Sequence, residues 1–107
     1  MSLSTHVLDA TSGRPAAGLT VRWESRGDGG WTEAQAGETD DDGRLRGWQP
    51  GAGVHRLVFD TGAWFARTGT AGFYPEVAVT FEVTAPDQHY HVPLLLSPFA
   101  YSTYRGS

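Results

Sequence analysis

The sequence predicts an all-β chain folded as an antiparallel sandwich of two sheets, with about seven or eight strands and one short helix. Three observations carry this. Short runs of alternating apolar and polar residues recur along the chain, as half-buried strands require. Fourteen glycines and six prolines punctuate those runs with turn signals. One stretch, Thr61–Thr68, breaks the alternation and suits a single short helix capped by Asp60 or Thr61. A chain of 107 residues forms one domain, 1–107, and shows neither repeat nor linker.

Leu3–Asp9 alternates, so burial of Leu3, Thr5 and Val7 sends Ser4 and His6 to the other face. Thr11–Pro15 is a turn cluster. Leu19–Arg26 places Leu19, Val21 and Trp23 inward, and Asp28-Gly29-Gly30 folds it into a hairpin with Trp31–Gly37. Thr39–Gly43 is an acidic turn leading to an extended piece, Arg44–Trp48. Its spacing faintly suggests a calcium loop, yet the position calling for a bidentate glutamate holds Gln49. Val54–Asp60 is a strand, and Glu76–Thr84 is the cleanest one, with Val77, Val79, Phe81 and Val83 inward. Ala85-Pro86-Asp87 turns the chain into a closing pair of extended runs. The tryptophans are read as core or sheet-face residues.

Composition removes several function classes. The formal charge is −4 with no Lys/Arg cluster, which argues against nucleic acid as a partner. No window approaches the ~18 apolar residues of a membrane span. With no cysteine there is neither a disulfide framework nor a thiolate metal site. The start, MSLSTHVLDA, lacks a basic and apolar leader, so a cytoplasmic location is expected.

The chain is organised around its last twenty residues, QHYHVPLLLSPFAYSTYRGS. His89 and His91 share one face of a strand, and Pro93 must sit at an edge or leave its position unpaired. Pairing of this strand with the first would bring His91 towards His6. Two imidazoles that titrate near neutral pH, with Arg44 to steady an oxyanion, can open a cyclic amide without a nucleophilic cysteine or serine. Each residue also has a bland reading: a solvated histidine on a polar face, an arginine exposed after an Asp-Gly turn. Convergence of His6, His89 and His91 on zinc is the metal-site alternative, but H-x-H here has no carboxylate or thiolate spacing to strengthen it.

THVLDATSGRPAAGL, TDDDGRL and HYHVPLLLSPFAYSTYRGS together resemble the 5-hydroxyisourate hydrolases, the enzymatic branch of the transthyretin family. The resemblance covers essentially the whole chain, in the family's order and spacing. It implies a transthyretin-like β-sandwich and a homotetramer, a dimer of dimers, with sites in the channel between dimers. It implies hydrolysis of 5-hydroxyisourate to 2-oxo-4-hydroxy-4-carboxy-5-ureidoimidazoline in urate breakdown, with no cofactor and no metal. The family's catalytic residues fall on His6, Arg44 and His91. Its substrate contacts fall on His6, Arg44, Tyr104 and Ser107, and its signature tail on Tyr104, Arg105, Gly106 and Ser107. His89 is left a structural or supporting role. The hormone-carrying transthyretins share the fold but are not expected to keep His6 or the YRGS ending. A carrier of aromatic small molecules is the rival from another class, and a structural sandwich module the blandest reading.

Overall fold

The computed structural model describes residues 2–107. The elements run β1 (Ser2–Asp9), β2 (Arg14–Pro15), β3 (Thr20–Gly27), β4 (Gly30–Glu38), β5 (Arg44–Trp48), β6 (Gly53–Phe59), α1 (Thr61–Arg67), β7 (Val77–Val83), β8 (His89–His91), β9 (Leu94–Ser97) and β10 (Ala100–Thr103). One sheet is the antiparallel ladder β4-β3-β6-β7. The other is built on β1, which pairs with β2, β5, β8 and β9, while β10 extends it beyond β9. The expected two-sheet sandwich with one helix is present.

Alternation sets which faces meet. Leu3, Thr5 and Val7 of β1 are buried, as are Val21 and Trp23 of β3, Leu57 and Phe59 of β6, and Leu94 and Leu96 of β9. Each fully buried Leu, Val or Phe contributes about 1.5–3 kcal/mol from its removal from water. In β7, Val77 and Val83 are fully buried, and Val79 and Phe81 pack half-buried against the same core. Helix α1 covers one end: Trp64 and Phe65 are buried, and the Trp64 indole donates to Ala17 O at 2.8 Å. Asp60 stands at its N-cap without a side-chain hydrogen bond, and Thr61 donates instead to Tyr74 O. Asp60 thus takes the expected N-cap position without making the capping bond, and the Thr61 hydroxyl is diverted to a tertiary contact.

Two features exceed the expectation. Ten strands appear because a two-residue bridge forms β2 and because Pro93 divides the run after Gln88 into β8 and β9. Both pieces keep one register on β1, Ser4 facing His91 before the break and Val7 facing Leu94 after it. The proline lacks the amide a ladder needs. Thr5 Oγ1 donates to Val92 O at 2.6 Å beside the gap. Moreover, β1 runs parallel to β8 and β9, so this sheet is mixed. Parallel neighbours need a long crossover, and here most of the chain supplies it.

Gly43 ties the acidic turn to β1. Its φ is +75°, its carbonyl accepts from Val7 N at 2.8 Å, and a Cβ there would lie 2.5 Å from Val7 O. Gly47 also has positive φ, +91°, but open space around it. Gly43→Ala is expected to lower the melting temperature by roughly 8 °C or more, and Gly47→Ala by about half of that. Equal melting curves for the two variants would show that the turn yields without cost.

Candidate active site

The polar face of β1 assembles the site because its apolar face is committed to the core. His6 and Arg44 are register partners across the antiparallel β1–β5 pair. Ser4 and His91 are partners across the parallel β1–β8 pair. Directly paired residues on one face have Cβ atoms about 4.5–5.5 Å apart. A register shift in β5 between the partners of Leu3 and Thr5 re-aims that strand beside the site.

Asp40 holds the start of β5. Its Oδ1 accepts from the backbone N–H groups of Asp42 and Arg44, both at 2.9 Å, and Asp40 N donates to Arg44 O at 3.0 Å. The Arg44 amide bond is the main reason the Asp40 carboxyl titrates below its ordinary range, helped by the Asp42 amide and the charges of Arg46 and Arg44. The carboxylate thus positions the backbone and leaves the guanidinium free of a salt bridge among the described residues.

A cavity of about 460 Å³ opens over this face, lined by Ser2, Ser4, Arg44, Arg46, His89, His91 and Ser107 among others. No acidic side chain lines it, so its field favours an electron-rich or anionic ligand. The His91 pKa is pushed down, first by burial and then by the positive charges of His89, Arg44 and His6; its bond to Ser4 opposes this. The neutral imidazole, the state a general base needs, is thereby favoured.

The tail closes against His91. Gly106 N donates to His91 O at 2.8 Å, and a Cβ on Gly106 would collide with the His91 ring carbon Cδ2. Only glycine fits there.

Of the residues singled out from sequence, Arg44, His91 and Ser107 line this cavity. His6 adjoins it as the partner of Arg44 but does not line it within one protomer. Tyr104 and Arg105 are turned away. They border a second cavity of about 250 Å³ with Phe81 and Tyr90. The Arg105 guanidinium lies over the Tyr90 ring at 4.4 Å and donates to Gln88 Oε1. Sequence reasoning missed Ser2, Ser4 and Arg46, although their spacing of two from Ser4, His6 and Arg44 put them on the same face. His89 is closer to the chemistry than expected. Among the described residues, no three His, Cys, Asp or Glu side chains are arranged to hold a metal ion. Nor is any helix long and apolar enough to cross a membrane.

Known proteins share this architecture and much of this sequence. The profile of the HIUase/Transthyretin family matches residues 3–106. A 5-hydroxyisourate hydrolase of Caulobacter vibrioides is 48% identical, the alignment covering 98% of this chain and 97% of that protein. The structure of Klebsiella pneumoniae 5-hydroxyisourate hydrolase superposes with a TM-score of 0.87 at 36% identity, over 99% of this chain and 93% of the other. Sea bream transthyretin, solved in complex with thyroxine, superposes with a TM-score of 0.89 at 36% identity, over 97% and 93%. A site made of strand-borne histidines and arginines, closed by a glycine-containing tail, thus sits on a full-length match in sequence and in fold, and the chain belongs to the HIUase/Transthyretin family.

Proposed function

We propose that this protein hydrolyses 5-hydroxyisourate, opening a cyclic amide to give 2-oxo-4-hydroxy-4-carboxy-5-ureidoimidazoline in the breakdown of urate. The observation that carries this reading is the cavity itself, where His91, its neutral form favoured, stands beside Arg44 with no acidic side chain in the lining. Water enters, and His91, with His6 as its partner, removes a proton as the oxygen attacks the ring carbonyl. Arg44 and Arg46 stabilise the oxyanion in a partly desolvated site, where such charges act more strongly than in water. A histidine then protonates the leaving nitrogen. Ser107, held in place by the Gly106 bond to β8, contacts the substrate from the tail.

The working unit in this reading is a homotetramer, a dimer of dimers. Strand β10 is a sheet edge exposed along its whole length, flanked by Phe99 at 69% and Tyr104 at 59% exposure, with Tyr101 at 41%. Long exposed apolar edges invite strand pairing with a second chain. Assembly also gives His6 and Tyr104, which do not line the cavity of a single protomer, a route to the substrate.

The transthyretin likeness keeps a carrier reading alive, because the fold alone does not separate the two. Substrate made freshly by oxidising urate decides between them. The protein is expected to accelerate its disappearance; binding of iodinated aromatics without hydrolysis would favour the carrier.

His91→Asn is expected to lower kcat/KM by ~10²–10⁴, with unchanged assembly state. Full activity in the purified variant would remove His91 from the mechanism. Deleting Arg105–Ser107 is expected to depress the rate far more than the melting temperature, since Arg105 and Ser107 are exposed and only Gly106 is half-buried. A joint collapse of both would make the tail chiefly structural.

The pH dependence has a definite sign. Because the folded His91 pKa lies below its ordinary 6.5, the midpoint of the acid-side fall in kcat/KM should lie below pH 6.5. The unfolded chain binds that proton more readily. His91 therefore adds stability above pH 6.5 that is lost as pH falls through the folded pKa. A rate profile breaking above 6.5 would contradict this.

A further inference from the structure

Ser4 is the middle of a continuous hydrogen-bonded chain. Its Oγ lies 2.8 Å from His91 Nδ1 and 3.0 Å from His89 Nε2. On the far side, His89 Nδ1 lies 2.6 Å from Ser2 Oγ. The two imidazoles lie nearly parallel, 16° apart with centroids at 6.3 Å, so a single hydroxyl bridges them. The His91 end is partly buried, and the His89 and Ser2 end is exposed. The chain thus runs along the cavity wall from a part-buried end to an exposed one.

A serine hydroxyl carries one proton and two lone pairs, so Ser4 passes a proton only when one imidazole donates to it and the other accepts. Two patterns of that kind satisfy every contact; in a third, both imidazoles donate to Ser4, Ser2 donates to His89 Nδ1, and no proton is passed. In the first, His91 Nδ1–H donates to Ser4, Ser4 O–H to His89 Nε2, and His89 Nδ1–H to Ser2, leaving His91 Nε2 unprotonated. In the second, all three bonds are reversed and His91 carries its proton on Nε2. In the two relaying patterns the tautomers of His89 and His91 are coupled through Ser4.

We propose that Ser2, His89 and Ser4 form a proton relay that lets His91 act first as base and then as acid without holding a positive charge. This rests on the hydrolase reading above. When His91 Nε2 takes a proton from the attacking water, its Nδ1 proton passes to Ser4, the Ser4 proton to His89 Nε2, and the His89 Nδ1 proton to Ser2, whose own proton leaves to solvent. When Nε2–H is given to the departing amide nitrogen, a proton returns along the same path. The water proton ends on the nitrogen, the C–N bond is broken, and the relay is restored; ionisation of the product acid is a separate step.

The surroundings supply a reason for such a device. His91 is faced by Arg44 and Arg46 of β5, His6 of β1 and His89 of its own strand, with no Asp or Glu side chain lining the cavity and only the terminal carboxyl of Ser107 to offset them. An imidazolium there would be opposed by each of those cationic side chains, and burial and their charges already depress its pKa. Ser4 and His89 are relay and positioning residues; they act through His91.

The test uses the full chain as Ser4→Ala, Ser4→Thr and His89→Gln, assayed on freshly generated 5-hydroxyisourate in low and high imidazole buffer. Ser4→Ala and His89→Gln are expected to lower kcat on the order of tenfold in low buffer, part of the ~10²–10⁴ that acid–base catalysis supplies. KM should stay within about twofold of the parent, and Ser4→Thr, which keeps the hydroxyl, near the parent in both constants. High imidazole should restore the two impaired variants, because a mobile base replaces the missing carrier. Parental kcat in low buffer, or a loss that imidazole does not restore, would overturn the relay. Substrate-free ¹⁵N spectra of the imidazoles provide a second readout: Ser4→Ala should shift the His91 tautomer balance, and unchanged spectra would overturn the coupling. If the parent does not hydrolyse the substrate, the hydrolase reading fails and the relay's catalytic role with it, while the ¹⁵N result still decides whether the tautomers are coupled.

Discussion

Hydrogen bonding of β1 along both of its edges is the constraint on which the site depends. At its first half the strand lies between β5 and β8, and at its second half it pairs with β2 and β9. Leu3, Thr5 and Val7 are essentially inaccessible to solvent, so the apolar face cannot be exchanged for the polar one. A slip of one residue would place Ser4 and His6 in the core and expose three buried side chains. Each buried Leu or Val contributes about 1.5–3 kcal/mol, whereas a solvated serine or histidine contributes little. The geometry around His91 is therefore imposed by residues packed into the core.

The charges follow a related economy. Placing Arg44, Arg46 and three histidines around one face is unfavourable in itself. A carboxylate salt-bridged to the Arg44 guanidinium would relieve this, but it would also cancel the field and occupy the donor. Asp40 instead directs its oxygen at backbone amides of the turn. It anchors the strand start, lends a negative charge from beneath, and leaves the guanidinium available. The outer face of the other sheet shows the opposite arrangement. There Glu24 binds Arg56 at 2.6 Å and Arg22 at 3.4 Å, and the Arg56 guanidinium also lies over Trp31 at 4.2 Å. Arginines tied down in that way support a surface; Arg44 is kept out of such a network.

Much of this was legible in the residues, for a physical reason. Period-two alternation reports one buried face, so β1, β3 and β7 and their inward residues could be read directly. Strand order could not, because it depends on partners distant in sequence: nothing in LSTHVLD says that its neighbours come from the far end of the chain and run parallel. His55 makes the same point. It alternates inward on β6, buried between Trp23 and Phe81, and its Nδ1 accepts from the Trp23 indole while Nε2 meets Gly51 O. By spacing alone it differs from His6 only in which face it occupies, and that is visible only once the core is known. Tyr104 shows where proximity in sequence misleads. The tail after Thr103 does not keep strand alternation: Ser107 reaches the cavity, whereas the neighbours Tyr104 and Arg105 both lie beside Tyr90 and Phe81.

The same sandwich serves a hydrolase and a thyroxine-complexed transthyretin about equally well, so architecture cannot be what distinguishes chemistry from carriage. In the reading proposed above, what distinguishes them lies in a few groups outside the core: the polar face of β1, the start of β5, the imidazoles of β8 and the tail that lies against them. Gly106 illustrates how little room there is for compromise. A side chain at that position would drive into the His91 ring, so closing the site and keeping the imidazole in place demand the one residue without a Cβ. Conversely, none of these residues is needed to bury the two sheets against each other. A scaffold whose stability and whose reactive face draw on separate residues can exchange one function for another by changing a handful of side chains, and the mixed sheet around β1 provides that separation.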